Sequence, residues 1–215
     1  MMELEGTVLA GTSFEPISGR VVVDNGRIQA VEEVATTSTD IILPAFVNAH
    51  THLGDSVAKE AGVGLSLEEA VAPPDSLKHR RLAAADRSEL VAAMRRTLRF
   101  MKRTGTVSCL DFRESGTDGV RALREAARPL DVDPFIFGSG DSSVLEVADG
   151  FGASGANDDD FTEQRAAARE PDVPFAIHAG EPDPTDIHPA LDLNPDLLVH
   201  MVHAEQDHLS RVTEE

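Results

Sequence analysis

The chain has 215 residues, of which 41% are hydrophobic, and carries 38 acidic against 19 basic residues for a formal net charge of −19. Such a surface repels phosphate backbones and excludes nucleic-acid binding through a basic patch. There is no run of about 18 apolar residues to cross a bilayer, and the single cysteine, Cys109, excludes an internal disulfide or a cysteine-cluster zinc site.

Residues 1–43 alternate apolar and polar positions. Leu4–Leu9, Gly19–Val23 and Arg27–Val31 read as short antiparallel strands, with Asp24-Asn25-Gly26 as a hairpin turn. Ile41–Asn48 is a continuous apolar run, the pattern of a strand buried on both faces. Beyond it strands alternate with helices. Arg80–Arg103 is one long helical stretch ended by Gly105, Thr106–Leu110 a strand, and Gly119–Arg128 a helix closed by Pro129. Asp133–Phe137 and Ser143–Val147 are expected strands, followed by a Gly/Asp-rich loop over Asp149–Asp160 and a helix to about Arg169. Val173–His178 and Asp196–His200 complete six strands in βα alternation, the signature of a parallel sheet with helical crossovers.

Three of these strands end in histidine. His50-Thr51-His52 closes the first apolar run, and residues two apart on a strand face the same side, so both imidazoles can chelate one ion while Thr51 points away. An isolated His-x-His also suits a structural role. His178-Ala179-Gly180-Glu181 follows the fifth strand. Its histidine could hold a metal and Glu181 relay a proton beside it, provided that the chain turns at Gly180; the alternative is an exposed glutamate in a loop. Val199-His200-Met201-Val202-His203 ends the sixth. His200 is the expected site residue, and His203 a supporting or substrate-binding one. Asp111-Phe112-Arg113-Glu114 follows the second strand. Arg113 could bind an anionic or carbonyl group of a substrate, or pair with Glu114. The loop Ser154–Asn157 is a further candidate for a pocket wall.

At these residues the sequence resembles the amidohydrolase superfamily, in particular its deaminase-like branch. Leu43–His52 is similar to the family's strand-1 motif, His178–Glu181 to its strand-5 ligand with catalytic glutamate, and Val199–His203 to its strand-6 segment. The resemblance implies an α/β fold, the (β/α)8 TIM barrel, present here through about strand 6. It divides the chain into residues 1–43, part of a small β-sandwich, and residues 44–215, the barrel. It implies a metal-dependent hydrolase that deaminates a small heterocycle or amidine through a metal-activated water. The metal would be held by His50, His52 and His178, with Glu181 and His200 catalytic.

One divalent ion is implied, zinc by its histidine ligands, with iron or manganese as alternatives. A strand-4 lysine that would bridge a second ion is missing from Ser143–Gly155. The family's strand-8 aspartate, the fourth ligand, is expected beyond residue 215, with the chain homo-oligomeric or joined to that C-terminal part. Hydrolysis of a cyclic amide is the alternative reaction on the same fold, and an inactive interaction module the alternative class. The N-terminus has neither a basic nor an apolar leader region, so a cytoplasmic protein is expected. Only three lysines, no Trp and no Tyr accompany the acidic surface, which points to adaptation to high salt.

Overall fold

A computed structural model of the chain describes residues 1–72 and 75–214. It contains two compact units, Met1–Phe46 and Val47–Glu215, divided three residues beyond the expected boundary.

The first unit is a four-stranded sheet. β1 (Met2–Leu9), β2 (Pro16–Asp24) and β3 (Arg27–Glu33) form an antiparallel meander, and β4 (Ile41–Ile42) lies parallel to β1. Asn25 and Gly26, both at positive φ, make the two-residue turn between β2 and β3, as such hairpins require. The apolar run Ile41–Asn48 is therefore not one strand. It breaks at Leu43-Pro44-Ala45, where proline offers no N–H to a ladder, and resumes as β5 (Phe46–Thr51).

The second unit is a six-stranded sheet in the order β10-β9-β8-β7-β6-β5, an α/β barrel traced through its sixth strand. It comprises β5, β6 (Thr106–Arg113), β7 (Asp133–Gly138), β8 (Gly150–Gly155), β9 (Phe175–Ala179) and β10 (Leu197–His200). Pairing is parallel from β6 to β10. β5, expected to be buried on both faces, is an edge strand whose residues 46–49 are exposed, because a single neighbour flanks it.

The crossovers are α1 (Leu67–Val71), α2 (Leu77–Ala84), α3 (Arg87–Arg103), α4 (Gly116–Ala127), α5 (Thr162–Arg169) and α6 (Ile187–Asp192), and α7 (Gln206–Glu214) follows β10. The expected helix over 80–103 is two helices. Ala85 is extended, and the Asp86 carboxylate accepts the Glu89 N–H, capping a new start. α3 buries Val91, Met94 and Leu98 along one stripe, and α4 buries Val120 and Leu123. Each such side chain contributes roughly 1.5–3 kcal/mol of burial, which fixes the helices onto the sheet.

The fourth strand is displaced from its expected position. Ser142–Glu146 is a 3-10 turn started by Asp141, whose carboxylate accepts the Ser143 N–H, and only Val144 in it is buried. The strand is instead the glycine-rich Gly150–Gly155, expected as a loop. Its glycines are a packing requirement: a Cβ on Gly150 would meet the Pro174 carbonyl and the Phe137 ring, and one on Gly152 the Phe112 and Phe137 side chains. Phe151 and Ala153 supply the apolar face that alternation alone did not reveal.

Candidate metal centre

β5 delivers its two histidines to one side, as its pleat dictates: His50 Nε2 and His52 Nε2 are 3.1 Å apart. His178, from β9, brings its Nε2 to 3.3 Å from that of His50. The three donor nitrogens form one grouping with separations within 4.8 Å. Phe112 closes the site from below, with its ring edge-on to His178 at 4.6 Å and to His50 at 5.3 Å, and stacked on Phe137.

The outer ring nitrogens decide which lone pairs face inward. His178 Nδ1 lies 2.8 Å from the Ala153 carbonyl, to which it can only donate, so its Nε2 is the bare nitrogen. His52 Nδ1 lies 3.2 Å from both Glu114 Oε1 and the Lys78 ammonium; because Lys78 already has the Glu114 and Asp55 carboxylates as acceptors, Glu114 takes the Nδ1 proton and leaves Nε2 bare. Burial, joined by the neighbouring rings of His52 and His200 and by Lys78, lowers the His50 pKa to about 4. Burial lowers that of His178 to about 3, with the Ala153 hydrogen bond opposing and the other histidines reinforcing. These two imidazoles are therefore neutral near pH 7, the state that coordinates a cation. Three imidazole nitrogens converging on one point fit a borderline divalent ion.

Glu181 reaches the same mouth. β9 ends at Ala179, and Gly180 turns at φ 65°, where a Cβ would also collide with the Ile187 side chain. The turn brings Glu181 Oε2 to 3.4 Å from His200 Nε2. His200 itself sits at φ 72°, and the Met201 N–H returns to the Val199 carbonyl at 3.2 Å, the hydrogen bond of a γ-turn. A non-glycine residue in such a conformation is strained, and strain of this kind clusters at functional sites. The His200 ring centroid is 4.8 Å from that of His50.

Two expected substrate contacts are not brought to the centre. Arg113 is 3% exposed, with its guanidinium against Glu114 and 3.5 Å from Asp111 Oδ1. It is held there under Gly54 in the pair with Glu114, the alternative expectation. His203 is exposed on the turn beyond β10, where its backbone N–H donates to the Gly180 carbonyl. The sequence Asp111–Glu114 does not follow the second strand but largely belongs to it. Ser154 and Gly155 likewise belong to β8, where Gly155 pairs with His178.

What the sequence did not single out is the charged layer behind His52. The Lys78 ammonium, from α2, lies 2.5 Å from Glu114 Oε1 and 3.3 Å from Asp55 Oδ2. Asp111, fully buried, accepts the Leu53 N–H at 2.6 Å and the Thr51 hydroxyl at 3.0 Å, and so holds the two residues that flank His52. Burial raises the Asp111 pKa to about 6 despite Arg113 nearby. Burial also opposes the Glu114 carboxylate, but Arg113, the His52 hydrogen bond and Lys78 together hold its pKa well below the ordinary range. The one available signal was that Lys78 is among only three lysines in the chain. A second grouping, His188, Asp207 and His208, has its atoms engaged locally: His188 Nε2 with Asp207, and His208 Nδ1 with the Glu205 N–H.

Comparison with known proteins agrees with this architecture. Residues 41–208 match the amidohydrolase family. A protein described as a candidate aminohydrolase from Methanothermobacter thermautotrophicus is 32% identical, over 97% of this chain and 64% of its own. Another so described, from Archaeoglobus fulgidus, is 38% identical over 80% of this chain and 52% of its own. Among solved structures, atrazine chlorohydrolase from Arthrobacter aurescens, complexed with zinc, superposes with a TM-score of 0.70 at 15% identity, over 100% of this chain and 64% of that one. Guanine deaminase from C. acetobutylicum gives 0.68 at 11%, over 99% and 65%. The chain belongs to the amidohydrolase family. It spans about half to two thirds of the length of these curated relatives.

Proposed function

We propose that the protein is a metal-dependent hydrolase of carbon–nitrogen bonds, deaminating a small heterocycle or amidine. The observation that carries this reading is the convergence of His50, His52 and His178 Nε2 at one point beside the Glu181–His200 pair. The relatives described as aminohydrolases and the deaminase among the structural neighbours support the reaction class. Histidine ligation and the zinc-complexed neighbour favour zinc.

When bound, a divalent ion supplies Lewis acidity and lowers the pKa of water towards neutrality. The chain's own residues do the rest. Glu181 Oε2 faces the mouth with 37% of its side chain exposed, so it can take a proton and pass it to a leaving nitrogen. His200 Nε2, held by Glu181 on one side and packed near His50 on the other, orients the attacking oxygen and stabilises charge developing on it. Phe112 and Phe137 form an apolar floor that strengthens these electrostatic interactions. The acidic, lysine-poor surface supports work in a concentrated salt solution such as a halophile cytoplasm.

The test is ammonia release from purines, pyrimidines, triazines and amidines by the zinc-loaded protein, with ring-opened products monitored in parallel. Ammonia formation that drops about 10²–10⁴-fold in Glu181→Gln supports deamination. Ring-opened acids without ammonia would move the assignment to cyclic amide hydrolysis. Neither product, from a protein that holds no ion, would leave an interaction module.

A further inference from the structure

We propose that Glu114, clamped by Lys78 and Arg113, is a positioning residue that orients His52 for the metal, an inference that rests on the metal-centre reading above. The geometry is specific to this one ligand. His178 is oriented by a backbone carbonyl, but His52 faces a carboxylate, with Nδ1 to Glu114 Oε1 at 3.2 Å. A carboxylate behind a ligating imidazole fixes the tautomer and the ring plane and increases the electron density on the opposite nitrogen.

Glu114 is placed beyond the end of β6, where a side chain would ordinarily sweep several rotamers. Two cations prevent this. Lys78 meets Oε1 at 2.5 Å, and the Arg113 guanidinium contacts Oε2, so both oxygens are held. Lys78 comes from α2 and has only 10% of its side chain exposed, an arrangement that α2 alone does not explain, because a lysine on a short surface helix ordinarily points to water. Lys78 is also 3.2 Å from His52 Nδ1. With the Nδ1 proton directed at Glu114, the ammonium has Glu114 and Asp55 as its acceptors.

The layer contains three carboxylates, Asp55, Asp111 and Glu114, against two cations, Lys78 and Arg113. A network in which both partners are largely buried holds its shape only when the charges nearly balance. A divalent ion on His52 Nε2 would add positive charge next to this layer, in which carboxylates outnumber cations. The crossover α2 would thereby be coupled to a bound metal through three residues, Lys78, Glu114 and His52.

The experiment is zinc and cobalt affinity of the full protein, measured by competition with a chromophoric chelator, for wild type, Glu114→Ala, Glu114→Gln and Lys78→Met. Glu114→Ala should bind about 10–100-fold more weakly. Glu114→Gln, which keeps an acceptor for Nδ1–H, should recover part of that loss, and Lys78→Met should lie between Glu114→Gln and wild type. In a His52→Ala background, adding Glu114→Ala should change affinity no further; an additive loss would overturn the inference, because it marks a structural role elsewhere. Should Glu114→Ala fail to fold, Glu114→Gln decides alone, and wild-type affinity in it overturns the inference. A wild-type protein that binds neither ion overturns the metal-centre reading and this inference with it, whereas a wild type that binds normally beside unchanged variants overturns this inference only.

Discussion

His178 Nε2 lies 3.3 Å from His50 Nε2, although 128 residues separate the two along the chain. Removing His178 should therefore disable a shared centre and not just a local contact. His178→Ala is expected to weaken zinc binding by more than the roughly 10–100-fold that loss of a supporting partner brings. Equilibrium dialysis with elemental analysis checks this; stoichiometric zinc retained at wild-type affinity would remove His178 from the site.

The metal-free protein should lose stability in acid, partly through its buried imidazoles. The folded pKa values, about 4 for His50 and about 3 for His178, lie below the ordinary histidine value of 6.5. Between these limits the unfolded chain binds more protons than the folded one. The contribution is thus complete above about pH 6.5 and is lost as pH falls towards 4 and 3. Urea midpoints in the presence of a chelator should decline across that window, and less steeply in His178→Leu. Parallel profiles for the two proteins would contradict the assignment.

His200 is a non-glycine residue at φ 72°. Alanine in its place keeps the backbone penalty, while glycine relieves it. His200→Gly should be more stable than His200→Ala by about 1–2 kcal/mol, and both should be equally inactive. Chemical denaturation with an activity assay separates the two effects; equal stabilities would mean that the turn carries no strain.

Gly54 sits directly against the Arg113 guanidinium, in the space that a Cβ would need. Gly54→Ala should push Arg113 off Glu114 and Asp111 and cost about 1–3 kcal/mol, the range for overpacking. The thermal midpoint reports it. A midpoint within error of wild type would show that the guanidinium has room to move.

Cys109 is completely buried, and burial raises its thiol to about 11. The folded protein should resist iodoacetamide at pH 8 and be alkylated only at the rate of unfolding. Rapid stoichiometric labelling without denaturant would contradict the packing of β6.

With a net charge of −19, the fold should gain stability as salt screens its self-repulsion. Midpoints should rise from roughly 0.1 M to 2 M KCl; a flat or falling curve would argue against adaptation to high salt.

The sequence alone determined the alternation of strands and helices, the antiparallel strands before residue 43 and the three strand-ending histidines. Each is a local property: side-chain period, turn residues at Asn25-Gly26, and histidine placed directly after an apolar run. The Gly180 turn was legible for the same reason. Tertiary structure decided what depends on neighbours distant in sequence. Gly150–Gly155 is a strand because Phe137, Phe112 and Pro174 press against its glycines, whereas its composition resembles a loop. Ile41–Asn48 is split between two sheets at Pro44. Arg113 is a buried partner of Glu114, and Lys78 sits behind His52, because side chains from three separate elements must balance charge where water is excluded. Period and turn chemistry act over a few residues and can be read along the chain, but desolvation and ion pairing depend on which segments meet, and only the folded chain brings them together.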